Sequence, residues 1–309
     1  MKKSSEILLE KYQVRKTKKQ KQDFGVWLAD YLSEYDYTVV EDKYSKNGSN
    51  YIVGDVESAD VILTAHYDTQ PTFFFPVTMG FSNWISFFIS QILMMIPIFI
   101  FAALYSFIIF KFSLGLEFFL ILAVLLLAYS IQMMCGLANK HTANDNTSGV
   151  ATLISILEDI SPEDREKICV VFFDEEELGL IGSKKFYKKY KESVIHKPLF
   201  NFDCVSDGEI LTFVMKKKFK DSSVCGLLKK ASDEAIKNSE KKIRFADALW
   251  NVYMSDQLHF PNGVGVVAAK KAHIFGYYIN RIHSKWDTKF DSKNIELLKN
   301  TMLKLIKKI

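Results

Sequence analysis

Cys169-Val-Val-Phe-Phe-Asp-Glu-Glu-Glu-Leu-Gly-Leu-Ile-Gly-Ser183 is the stretch whose reading decides the fold. Its first half is a short apolar run, β-branched and aromatic, of the kind that makes a strand buried on both faces. Its second half is four consecutive acids followed by two glycines. Acids at the carboxyl end of such a strand stand where open α/β sheets place their ligand sites. Four together repel one another unless cations compensate, so a metal site is the first expectation. The plainer alternative is a solvated helix start, because Asp and Glu favour the first turn.

Working outward, the chain alternates strands and helices. A helical region is expected over Glu6–Tyr12, crossing the basic run Arg15–Lys21 and resuming with Phe24, Trp27, Leu28, Tyr31 and Leu32 at helical spacing. The basic run reads as a solvated face, or one touching anionic lipid if a membrane lies beside it. Tyr37–Val40 and Tyr51–Val53 flank the turn Lys46–Asn50 as a hairpin, and Val61–Ala65 reads as a buried strand. Beyond residue 135 the pattern predicts a helix over Gly149–Asp159, the strand Ile168–Phe173, a helix over Ile181–Lys191 and strands at Leu199–Asp203 and Ile210–Met215. A helix over Val224–Lys237, strands at Val264–Ala268 and Ile274–Tyr278, and a last helix over Lys293–Lys308 follow. The fold class this implies is α/β, with a mixed, largely parallel central sheet flanked by helices.

Residues 76–110 carry no charged side chain, and Trp84–Phe110 is long and apolar enough to cross a bilayer. Lys111–Glu117 separates it from a second apolar run, Phe118–Cys135. The two together read as a transmembrane helical hairpin over 78–135, inserted into one domain made of 1–77 and 136–309. A buried core hairpin or a dimerisation arm is the alternative. Both ends of such a hairpin lie on the same side of the bilayer, which would tether the domain to the membrane surface. The amino terminus breaks its apolar run with charge too early for a signal peptide. Cys135, Cys169, Cys204 and Cys225 show no disulfide or CxxC pattern. A cell-membrane protein with two spans and a cytoplasmic domain is therefore expected. The net charge of +4 is modest, and no basic stripe interleaved with aromatics argues for nucleic acid.

Four further stretches carry candidate ligands, in turns and at strand ends. Thr64-Ala-His-Tyr-Asp-Thr69 places His66 and Asp68 just after an apolar strand, with the carboxylate positioned to orient the imidazole. Ala143-Asn-Asp-Asn-Thr-Ser-Gly149 holds Asp145 in a polar turn before a helix, which taken singly would be an ordinary capping loop. Asn201-Phe-Asp-Cys204 ends a strand with Asp203, and Arg281-Ile-His-Ser-Lys-Trp-Asp-Thr288 carries His283 in a polar loop. Together these make an N/O ligand set suited to zinc without any cysteine.

In this order, Ala65–Asp68, Ala143–Gly149, Phe173–Ser183, Asn201–Asp203, Ser255-Asp256 and Ile282–Thr288 make the sequence resemble the zinc-dependent aminopeptidases of the bacterial leucyl aminopeptidase and aminopeptidase Y type. Relatives of that family include glutamate carboxypeptidase and glutaminyl cyclase. The resemblance implies two zinc ions, with manganese or cobalt as possible substitutes. Asp145 would bridge them, His66 and Asp203 completing one site and Glu177 and His283 the other. It makes Glu176 the general base, with Gly179 fixing the register and Glu175 left as an extra acid, and Asp68 the residue that orients His66. It further implies a cis peptide at Asp145-Asn146 and a peptide substrate with a free amino terminus. The alternatives are a glutaminyl cyclase-like transferase with a single zinc, a carboxypeptidase, or a non-catalytic membrane binding module. No basic group is visibly placed to receive a substrate carboxylate. The hairpin departs from the family, falling between His66 and Asp145. Its role as anchor, substrate-capture device or oligomerisation arm is open, as are the oligomeric state and substrate specificity. The aromatics around Phe73-Phe-Phe75 read as interfacial anchors or the lining of a lipid-proximal groove.

Overall fold

The computed structural model describes residues 1–73, 75–110, 116–237, 239–273 and 276–309. Helices α1 (Lys3–Lys11) and α2 (Lys18–Ser33) lead into the antiparallel pair β1 (Val39–Lys43) and β2 (Ser49–Val53) and then β3 (Val61–His66). Next come β4 (Val77–Gly80), α3 (Trp84–Phe110) and α4 (Leu116–Cys135). The chain continues with α5 (Gly149–Asp159), β5 (Ile168–Phe173), α6 (Ile181–Lys189), α7 (Lys191–Val194), β6 (Leu199–Phe202) and β7 (Ile210–Met215). It closes with α8 (Lys217–Lys220), α9 (Ser223–Ile236), β8 (Lys242–Asp247), β9 (Gly263–Ala272), β10 (Gly276–Ile282) and α10 (Ser292–Ile306).

Among the described residues the strands join one ten-stranded mixed sheet whose longest path runs β1-β2-β5-β3-β6-β9-β10-β4, with β7 paired to β9 and β8 to β7. The centre is parallel: β3 pairs with β5 on one side and β6 on the other, and β6 with β9. Antiparallel strands finish the edges. Period-two alternation along β5 explains why the sheet is covered on both faces. Ile168, Val170 and Phe172 point into a core shared with α1, α2, α5, α9 and α10. Cys169, Val171 and Phe173 point into a second core with Phe186, Val194 and Phe260. Each fully buried Phe there stabilises the fold by roughly 1.5–3 kcal/mol relative to exposure.

Two readings of the amino-terminal region need correction. The expected helix is two helices, broken at residues 12–17, because Thr17 begins α2 with a reciprocal capping box to Gln20. The basic run is also not a solvated face at its ends. Arg15 is fully buried, and Lys21 is buried in an ion pair with Asp174. Strands β4 and β8 were not foreseen, and β4 takes Thr78–Gly80 into the sheet before the chain enters α3. Of the expected strand Ile274–Tyr278, the first two residues lie outside the described residues, as does most of the expected break Lys111–Glu117.

Among the described residues, α3 and α4 are the two helices long and apolar enough to cross a membrane, and very little of their surface is buried by the rest of the chain. The foot of α4 is fixed to the sheet domain: Gln132 donates to the Thr72 carbonyl, Thr72 N–H to Leu137 O and Asn139 N–H to Gln70 O.

Candidate metal centre

Three neighbouring parallel strands, β5, β3 and β6, end on the same edge, so the residues that follow them meet there. His66 is the last residue of β3, Asp203 follows β6, and Glu176 and Glu177 follow β5. Asp145 comes from the irregular turn Ala143–Ser148 ahead of α5, and His283 from the end of β10.

Local chemistry sets each arrival. Asp174 anchors the acid loop, accepting from Ser49 N–H (3.2 Å) and Glu175 N–H (2.8 Å) and pairing with Lys21. The chain then turns at Gly179, whose φ of 102° is open to glycine and strained for an L side chain. Asn146 staples the Asp145 turn to both strand ends, donating to His66 O (3.3 Å) and Phe202 O (3.0 Å) and accepting from Gly149 N–H (3.0 Å). A Cβ at Gly149 would stand 2.2 Å from Phe202 O, so only glycine lets α5 approach β6 this closely. The Asp145-Asn146 peptide is cis.

The ligand atoms form two connected groups. His66 Nε2 lies 3.2 Å from Asp145 Oδ1 and 3.6 Å from Asp203 Oδ1. His283 Nε2 lies 3.1 Å from Asp145 Oδ2 and 3.5 Å from Glu177 Oε2. The two oxygens of Asp145 thus face two different imidazoles. Ligands bonded tetrahedrally to zinc at about 2.0–2.1 Å stand about 3.3 Å apart. The observed separations bracket that edge length. Asp145 Oδ1 and Asp203 Oδ1 are buried without a hydrogen-bond partner, an expense that a cation would remove. The donor set therefore fits two divalent ions with nitrogen and oxygen ligands. Glu176 joins His66 and Glu177 in a third grouping, within 4.8 Å of both.

Asp68 links two of these elements. Its Oδ1 is 3.4 Å from His66 Nδ1 and accepts from Glu176 N–H (3.1 Å), while its Oδ2 accepts from Glu177 N–H (3.2 Å). Burial pushes the Asp68 carboxyl up, but His66, Lys21 and the Glu176 amide together hold it below the usual carboxylate range. Burial drives the carboxyls of Glu176 and Glu177 well above that range, assisted for Glu176 by Asp256 and Asp203 and for Glu177 by Asp145 and Glu176. Burial acts against a charged His66, yet Glu176, Asp145, Asp203 and Asp68 raise its pKa well above the usual value. Acids raised and an imidazole raised in one small volume describe a site with a deficit of positive charge.

Four supporting residues received no role from the sequence. Asp287 accepts from Asn144 N–H (2.8 Å) and Asp145 N–H (2.9 Å), fixing the backbone on either side of the candidate ligand Asp145. Asp256 is fully buried beside the cluster, its carboxyl pushed up to about 7 by burial. Both lay inside motifs already singled out, and only the fold reveals what they touch. Arg15 sits beneath the site, donating to the carbonyls of Tyr12 and Tyr67 and to Thr147 Oγ1. Lys16, half-buried next to it, has its pKa lowered by burial, against which Glu177 and Asp68 act.

Residues 130–306, more than half of the chain, match the family model described as peptidase family M28; this span includes Asp145, Glu176, Glu177, Asp203 and His283 and leaves out His66 and Asp68. No curated protein matches the sequence. Among solved structures, the chain is similar to the glutaminyl cyclase of Bacteroides thetaiotaomicron bound to N-acetylhistamine, at 14% identity and TM-score 0.59, over 98% of this chain and 96% of that one. It is similar to the glutaminyl cyclase of Fimbriiglobus ruber at 14% identity and TM-score 0.56, over 98% and 92%. Similarity to LapA of Legionella is 12% identity and TM-score 0.56, over 98% and 70%. At these identities the likeness is one of fold.

Proposed function

The chain belongs to peptidase family M28, and from that premise we propose that it is a membrane-anchored aminopeptidase that uses two zinc ions. The observation that carries the reading is Asp145, whose two oxygens face His66 with Asp203 on one side and His283 with Glu177 on the other. A site built for a single ion has no use for a central carboxylate shared in this way. Bound there, the ions would supply an activated water and polarise the scissile carbonyl. Glu176, held by its amide to Asp68 and outside the two groups that share Asp145, takes a proton from the attacking water and returns it to the leaving amine. Asp68 keeps His66 and the acid loop in register for that transfer. In the membrane, α3 and α4 form the hairpin that holds the domain at the bilayer surface, and the fixed foot of α4 keeps the site close to it.

Glu176→Gln is the test. Hydrolysis of a peptide with a free amino terminus is expected to fall by roughly two orders of magnitude or more, with zinc content unchanged. Unchanged turnover would remove Glu176 from the mechanism, and a zinc content halved by the substitution would make it a ligand instead.

A further inference from the structure

Between α3 and α4 runs a groove of about 960 Å³, at the upper end for a small-ligand site. Phe73, Met94, Pro97, Phe101, Leu125 and Tyr129 line it. Between Ser90 and Phe101 its α3 wall rises about 16 Å. Its polar groups are few, and one of them, Gln132, is already engaged with the Thr72 carbonyl. One end lies among faces of α3 and α4 that the other described residues leave largely exposed. The other end lies against the metal centre. Phe73, which forms the wall there, stacks on Tyr129 of α4 with ring centroids 5.6 Å apart and on His283 with centroids 5.5 Å apart. A single ring thus separates the groove from a candidate metal ligand. The loop that carries the exposed Leu249, Trp250 and Met254 is tied to Phe81, just ahead of α3, by the bond from Val252 N–H to Phe81 O.

We propose that this groove is a substrate subsite that takes the apolar side chains of hydrophobic peptides reaching the enzyme from the lipid phase. The proposal rests on the peptidase reading above and adds its substrate class. Three features select this occupant over a polar one. The walls offer a polar peptide almost nothing to hydrogen-bond, so its side chains would lose their hydration without return. The volume exceeds what one side chain fills, which calls for a run of apolar residues. The groove also ends one ring away from His283, at Phe73, so a run of apolar side chains held in it lies next to the site.

The test uses the full-length protein, zinc-loaded, in lipid nanodiscs, with two pentapeptides that share an amino-terminal Leu. One continues with Leu and Phe, the other with Ser and Gln. The wild type is expected to favour the apolar peptide in kcat/KM by about tenfold or more. Ala128→Trp, which fills the groove from α4 without touching the centre, should remove that preference. Turnover of the polar peptide should stay within about twofold, and this also reports that the variant is folded. Met94→Trp fills the opposite wall and should act in the same direction. The proposal fails if the wild type shows no preference, if the preference survives both substitutions, or if both peptides lose turnover equally. It fails also if native mass spectrometry shows the substitutions expelling a bound lipid while the preference stays intact, which would make the groove a lipid site. Hydrolysis of neither peptide by the wild type is a different result, and overturns the peptidase reading itself along with this one.

Discussion

Asp68→Asn isolates the link between the first imidazole and the acid loop. The wild-type carboxylate is almost completely buried and accepts the amides of Glu176 and Glu177, one on each oxygen. Hydrogen bonds to a buried charge contribute about 1.5–3 kcal/mol each. Asparagine keeps one acceptor and turns an NH₂ toward the other amide. One bond is then lost outright and its donor left unsatisfied, a cost of about 2–3 kcal/mol in unfolding free energy. The Asp68 carboxyl is held below its unfolded value, so its contribution is complete above about pH 4 and fades as the pH falls through the folded value. The loss should accordingly be full at pH 7 and shrink in acid. Because the same oxygens orient His66 and place Glu176 and Glu177, zinc affinity or kcat/KM should also fall, by about 10–100-fold. Urea unfolding across pH, chelator competition for zinc and steady-state kinetics measure the three quantities. A variant destabilised as expected but with unaltered zinc affinity and kcat/KM would refute the reasoning, since Asp68 would then merely hold backbone.

Other parts of the structure answer to their own perturbations. Arg15→Met should destabilise the protein by about 3 kcal/mol in chemical denaturation, because the carbonyls of Tyr12 and Tyr67 lose a buried charged donor; a neutral result would mean water replaces the guanidinium. Asp159 is raised by its burial but held below the ordinary carboxylate range by Lys2 and Lys299, so it stabilises above about pH 4 and the effect is lost as pH falls through its folded value. Asp159→Asn should therefore flatten the acid limb of a plot of Tm against pH, and an unaltered limb would remove those pairs from the account. Replacing Trp84–Cys135 by a flexible linker leaves β4 in the sheet and should move the protein from the membrane fraction to the soluble fraction. Continued sedimentation with membranes would assign anchoring to another surface, such as the loop bearing Trp250.

Where the sequence was legible, a strong period or a strand-end position made it so. The buried run Ile168–Phe173, the helix at Gly149 and the strand Ile210–Met215 fall where their patterns placed them. The two apolar runs were legible from composition, since a helix with no polar stripe cannot be packed on one side only. Other features were hidden because their meaning is tertiary. Arg15 looks like one cation in a basic run, and only the turn that brings Thr147 and Tyr67 around it makes it a buried strut. Strand β4 is four residues inside an apolar stretch and becomes a strand through its pairing with β10. Asp287 and Asn146 were visible as motif letters, but the amides and carbonyls they hold belong to distant segments. No local signal announces that Arg15 closes against the turn bearing Thr147, two residues after Asp145.

Anomalous diffraction at the zinc edge, on crystals of the full-length zinc-loaded protein, tests the central claim most directly. Two peaks are expected, one among His66, Asp145 and Asp203 and one among Asp145, Glu177 and His283, with Glu176 bonded to neither. A single peak, or one that takes Glu176 as a ligand, would contradict it.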